Sequence, residues 1–84
     1  MLLTVKFFAK CREIHGNGLI ISTDLEKLKI SDLIEILSDN YNINLKEEFK
    51  NGKIIVSKDF EIVSANDILT KDSEIGIYPP VSGG

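Results

Sequence analysis

The hydrophobic period of this chain changes partway along, and that change restricts its fold more than any other feature. Leu2–Ala9 alternates, with Leu3, Val5, Phe7 and Ala9 on one side and Thr4, Lys6 and Phe8 on the other. A period of two sustained this long predicts a strand with one buried face. From Ile30 the period becomes helical: Ile30, Leu33, Ile34, Leu37 and Tyr41 form one stripe, as on a single face of an α-helix. Ser31 is the expected N-cap, with Asp32 beside the positive helix end, and Asn40-Tyr41-Asn42 is the expected exit. Between these segments a short helical turn over Cys11–Ile14 leads to the turn Gly16-Asn17-Gly18. Leu19–Thr23 then reads as a second strand hairpinning back on the first.

Beyond the helix, Leu45–Gly52 is polar and reads as an irregular or short helical connection. Lys53–Ser57 is a third strand, Lys58-Asp59 a turn and Phe60–Val63 a short edge strand. Ile68 and Leu69 are expected to plug the core between loops, and Glu74–Tyr78 is the last strand. One long helix can cover only one face of a sheet, so the order β-β-α-β-(β)-β implies an α+β fold. The arrangement that satisfies it is the β-grasp, or ubiquitin-like, fold: a mixed sheet of about five strands, first and last parallel at its centre. Residues 1–78 form that domain and residues 79–84 an extended C-terminal tail.

Composition removes several function classes. A single core of 84 residues leaves no room for a deep enclosed active site, so a self-contained enzyme is not expected. Net charge is −3 and the densest basic run, Lys10–Arg12, is interrupted by Cys11; nucleic acid, which demands a basic patch, is not an expected partner. No run approaches the roughly 20 apolar residues of a spanning helix, so no membrane association is expected. The N-terminus lacks the apolar core and cleavage site of a signal peptide, and the lone Cys11 permits no internal disulfide. A reducing cytoplasm is the expected compartment. His15 has no partner at ligand spacing, so no metal is expected, and no Gly-rich phosphate loop is present, so no nucleotide or other cofactor is expected to bind. Cys11 reads as a small apolar filler, and Asp24/Glu26 and Glu47/Glu48 read as solvated charge.

The last residues are of another kind. After Glu74 no side chain is charged, and the sequence closes on Pro79-Pro80-Val81-Ser82-Gly83-Gly84. Consecutive prolines fix φ near −65° and favour an extended path away from the last strand. Glycines at 83 and 84 remove every Cβ around an α-carboxylate, so such a tail can thread a narrow channel and present its carboxyl carbon to another protein's active site. That carboxylate is ionised at neutral pH and is a poor acceptor for nucleophiles until it is adenylated.

Two segments at opposite ends of the chain carry a resemblance. Phe7-Phe8-Ala9-Lys10-Cys11-Arg12-Glu13 is similar to an FFA-x-x-RE pattern, and Pro79-Pro80-Val81-Ser82-Gly83-Gly84 to a PPVSGG end. Together they resemble the small subunit of molybdopterin synthase, a ubiquitin-like sulfur-carrier family. The resemblance implies a non-catalytic sulfur-donor subunit. An adenylyltransferase of the ubiquitin-activating type, using ATP and Mg, would activate Gly84, and a sulfur donor protein would convert it to a thiocarboxylate. Gly83, Ser82, Val81, Pro80 and Pro79 would pass into the large subunit, in a heterotetramer of two small and two large subunits. There the sulfur would attack a cyclic pyranopterin monophosphate on the way to the molybdenum cofactor. A carrier for thiamine thiazole or cysteine synthesis, and a ubiquitin-like protein modifier, are the alternatives. Phe8 and Tyr78, on neighbouring strands and pointing away from the helix-covered face, form the expected partner-docking patch, while Arg12 and Glu13 read as a structural charge pair.

Overall fold

The computed structural model describes residues 1–80. The N-terminal alternation forms β1 (Leu2–Phe7), followed by α1 (Ala9–His15), β2 (Gly18–Ser22), β3 (Leu28–Lys29) and α2 (Ile30–Tyr41). Then come α3 (Lys46–Lys50), β4 (Ile55–Lys58), β5 (Glu61–Val63), β6 (Ile68–Leu69) and β7 (Ser73–Tyr78). The main sheet has the order β2-β1-β7-β4-β5, and β3 pairs with β6 in a separate two-stranded sheet. β1 and β7 run parallel at the centre, with Val5 opposite Ile75 and Phe7 opposite Ile77. All other pairings are antiparallel. This is the β-grasp arrangement expected from the order of elements.

The inner face of the sheet carries Leu3, Val5, Phe7, Val56, Ile75 and Ile77, each no more than 1% exposed. Against it lies the α2 stripe of Ile30, Leu33, Ile34 and Leu37, all buried, whereas Tyr41 at the end of the stripe is exposed. Burying a Leu, Ile or Phe side chain contributes roughly 1.5–3 kcal/mol, so this single layer supplies most of the stability. Among the described residues no helix covers the outer face, where Ile20 and Ile62 are exposed.

Local departures from the expected boundaries have physical causes. Ser31 does not cap α2; the N-cap is Lys29, without a side-chain bond. The Ile30 and Ser31 amides donate instead to the carbonyls of Asp67 (2.9 Å) and Ala65 (3.0 Å). The loop presenting these carbonyls is held by the Asp67 carboxylate, which accepts from the Ser64 amide at 2.7 Å. A tertiary cap thus replaces the local one. Asn42 closes the helix in the left-handed region (φ 58°), as an exit residue should. Ala9 is not on the buried face: at φ 52° it turns the chain out of the strand, and it is exposed. The Cys11 and Arg12 amides fold back onto the Phe8 carbonyl to start α1, so the helical turn is longer than the Cys11–Ile14 expected. The β4–β5 turn sits at Asp59-Phe60, both at positive φ (46° and 73°), rather than at Lys58-Asp59. Asp59 pins it by donating its amide to the Glu74 carbonyl (2.8 Å) and accepting from the Glu74 amide (2.9 Å). Of the expected plug only Leu69 is buried; Ile68 is 47% exposed.

Candidate functional site

The root of the tail is where β7 leaves the sheet. Because side chains alternate along a strand, Ile75 and Ile77 enter the core while Gly76 and Tyr78 face outward. β1 alternates in the same register, which brings Phe8, just beyond its end, level with Tyr78. The Phe8 amide donates to the Ile77 carbonyl at 3.0 Å, extending the β1–β7 pairing by one residue. The Phe8 and Tyr78 rings then stack with centroids 4.6 Å apart and planes 5° from parallel. The structure thus brings together the two aromatic residues expected to form the outward patch.

Tyr78 is fixed from a second side. Ser57 on β4 donates its hydroxyl to Tyr78 Oη at 3.2 Å, and the ring lies over Gly76. A Cβ built on Gly76 would stand 2.5 Å from Tyr78 Oη and 2.6 Å from Ser57 Oγ, closer than atoms can approach. Glycine at 76 is therefore the condition for the tyrosine ring to lie flat across the sheet and reach Phe8. Lys6 and Glu74, 3.1 Å apart, pair across the same strands further from the tail.

The outward face extends to residues that the sequence pattern did not single out. Ile55 and Ser57 on β4 pair with Tyr78 and Gly76, and Ser57 pairs with Ile62 on β5. Ile55, Ser57, Phe60, Ile62, Tyr78 and Pro79 together line a shallow groove of about 250 Å³. Phe60 is 80% exposed and Ile62 76% exposed. Phe60 also holds a positive φ that an aromatic side chain rarely adopts. Exposure and backbone strain thus coincide at one residue beside the tail root. The available signal in the sequence was Asp59-Phe60 between two β-branched runs, a hairpin whose tip is aromatic.

Pro79 is half-buried and Pro80 exposed. Val81, Ser82, Gly83 and Gly84 lie outside the described residues. Arg12 and Glu13 are exposed, and neither forms an ion pair with a described residue. Cys11 is buried, and burial followed by the Glu48 carboxylate pushes its thiol pKa up, away from thiolate character. The His15 ring packs on Phe7 with centroids 5.4 Å apart. Asp24, Glu26, Glu47 and Glu48 are all exposed. Among the described residues no three His, Cys, Asp or Glu side chains converge to hold a metal ion, and no helix is long and apolar enough to cross a membrane.

The ThiS family model matches residues 5–84. Among solved structures, small archaeal modifier protein 1 from Haloferax volcanii superposes with a TM-score of 0.77 at 22% identity, over 100% of both chains. Small archaeal modifier protein 1 from Methanosarcina acetivorans gives 0.71 at 29% identity, over 99% of this chain and 96% of that one. A chain from the complex of subunits 1 and 2 of molybdopterin-converting factor from Helicobacter pylori gives 0.65 at 25% identity, over 100% of both. No curated protein matches the sequence significantly.

Proposed function

The chain belongs to the ThiS family, and on that premise we propose that it is the sulfur-carrying small subunit of a molybdopterin-forming sulfurtransferase. The observation that carries this reading is the tail root: a stacked Phe8–Tyr78 pair on the uncovered sheet face, directly before Pro79-Pro80, in a chain whose family match runs through to Gly84. The Helicobacter pylori likeness supports the choice of partner, since that structure is a complex of subunits 1 and 2 of molybdopterin-converting factor.

In this reading the chain supplies position and a reactive end, and its partners supply catalysis. An adenylyltransferase of the ubiquitin-activating type, using MgATP, converts the Gly84 carboxylate to an acyl-adenylate and releases pyrophosphate. The terminal sulfur of a donor protein's persulfide then displaces AMP, and a thiol cleaves the resulting acyl disulfide, itself ending in a disulfide with the donor cysteine, to leave a thiocarboxylate. Sulfur in that group is a softer nucleophile than carboxylate oxygen, and holding it on a docked domain makes its delivery to the pterin precursor effectively unimolecular. The aromatic patch and Phe60 dock the large subunit, two of each subunit forming a heterotetramer, while the small residues Ser82, Gly83 and Gly84 follow Val81 through a narrow passage. The cytoplasm, where thiols remain reduced, suits such a group.

The test is the intact mass of the chain after incubation with activating enzyme, MgATP and a sulfur source. A gain equal to one oxygen-to-sulfur exchange, localised to Gly84 and lost when Gly84 is deleted, is the expected result. Sulfur loading that survives deletion of Gly84 refutes the mechanism. A second reading, a ubiquitin-like modifier, is favoured by the 29% identity to a small archaeal modifier protein. It differs in product: a ladder of covalent protein adducts that survives boiling, against a single small band for a dedicated carrier.

A further inference from the structure

A second concavity adjoins the tail root from the opposite side, between α1 and α3. It measures about 470 Å³, within the range of built binding pockets. Its floor and walls are apolar, formed by Cys11, Ile14, Leu45, Ile54, Pro79 and Pro80, and the charged or titratable groups around it are Lys10, His15, Glu48 and Lys53. Lys10 and Lys53 outnumber Glu48, so the rim is locally positive on a chain whose net charge is −3. Ile14 stands 66% exposed at the rim, and His15, braced on Phe7, makes a fixed wall.

From this geometry we infer that the α1–α3 groove is a second docking site, taking an apolar side chain flanked by a carboxylate from the protein that activates the tail. The inference rests on the carrier reading, because it is the tail that brings the partner here. Pro79 lines both this groove and the aromatic one on the sheet face. A protein that encloses the chain at Pro79-Pro80 therefore stands within contact distance of both, gripping the tail root from two sides. Charge selects the occupant: Lys10 and Lys53 attract a carboxylate, while the apolar floor excludes a side chain that is charged throughout. Two separated anchors also fix the direction in which the tail leaves the domain, which one flat patch does not.

The experiment measures the affinity of the activating enzyme for the wild-type chain, Ile14→Asp, the double variant Lys10→Glu/Lys53→Glu, and Phe8→Asp. Ile14, Lys10 and Lys53 are exposed, so these variants keep the core intact, and thermal denaturation verifies it. The expected result is a loss of about tenfold or more for Ile14→Asp. The double variant weakens at least as much, and added salt, which weakens wild-type binding, strengthens its binding by screening the new repulsion. Groove variants that bind like wild type while Phe8→Asp weakens overturn the groove and leave the carrier reading standing. A wild-type chain that is neither bound nor thiocarboxylated overturns the carrier reading and the groove with it. A wild-type dimer that Ile14→Asp dissociates makes the groove a self-interface and also overturns the inference.

Discussion

Replacing Gly76 by alanine tests whether the tail-root aromatics are organised by the space that glycine leaves. The new Cβ would stand 2.5 Å from Tyr78 Oη and 2.7 Å from Tyr78 Cε1, so the ring must swing off the sheet. It then loses the Ser57 hydrogen bond and the stack on Phe8. A hydrogen bond of this kind contributes about 1 kcal/mol and a stacked aromatic pair about 1 kcal/mol. Alanine in a strand recovers roughly 0.5–1 kcal/mol over glycine through the conformational freedom glycine loses on folding. The net destabilisation is about 1–1.5 kcal/mol, a fall in Tm of about 4–12 °C for a domain of this size. Urea denaturation gives the free energy, and the near-ultraviolet circular dichroism of Tyr78 reports the ring. The decisive comparison is a double-mutant cycle with Tyr78→Ala. Once the ring is gone, two of the three nearest atoms to the new Cβ are removed and the third, Ser57 Oγ, belongs to a hydroxyl that can rotate away, so Gly76→Ala becomes much less costly. An equal cost in both backgrounds would refute the argument, because the penalty would then come from the backbone and not from the tyrosine.

Phe60→Gly relieves a left-handed backbone and removes a mostly exposed ring; stability should rise by about 1 kcal/mol in chemical denaturation, while affinity for the large subunit falls. A stability gain without loss of affinity removes Phe60 from the docking surface. For Cys11 the sign follows from burial: the folded thiol titrates above the unfolded one, so stability is level below the unfolded value of 9.0 and declines as pH rises beyond it. Cys11→Ala should flatten that decline, and iodoacetamide at pH 8 should label the native thiol far more slowly than the same thiol in urea.

The sequence carries the parts of the fold that depend on repeated patterns. Leu3, Val5 and Phe7 alternate in the sequence and are buried in the structure, and the α2 stripe from Ile30 to Leu37 faces the sheet. The two end segments carried the family resemblance, and the ThiS match spans both. Features made by tertiary contact were not readable in the same way. Ser31 looks like a cap because it precedes the helical stripe, yet Asp67 and Ala65, more than thirty residues downstream, supply the carbonyls. Phe60 reads as a strand residue until Asp59 is seen bonded through both amide and carboxylate to Glu74, which shifts the turn by one position. The Phe8–Tyr78 pair was legible because alternation alone places both side chains on the outer face; Gly76, which allows them to meet, was not.

The division of the sheet into two faces explains how such a chain can keep its fold among distant relatives. The inner face requires apolar volume at alternate positions, a condition met by many combinations of Leu, Ile, Val and Phe. Structures at 22% and 29% identity accordingly superpose along nearly the whole chain. Folding places no such demand on the outer face. An 80% exposed aromatic at positive φ and a glycine kept bare in a central strand each break a local rule without any gain in the core. Both surround the point where Pro79 leaves the sheet, as does Ile14 on the other flank. Stability is therefore concentrated on one face; on the proposed reading recognition lies at one end of the other, and substitutions at Phe8, Phe60 or Ile14 are then expected to change partner affinity while leaving the core intact.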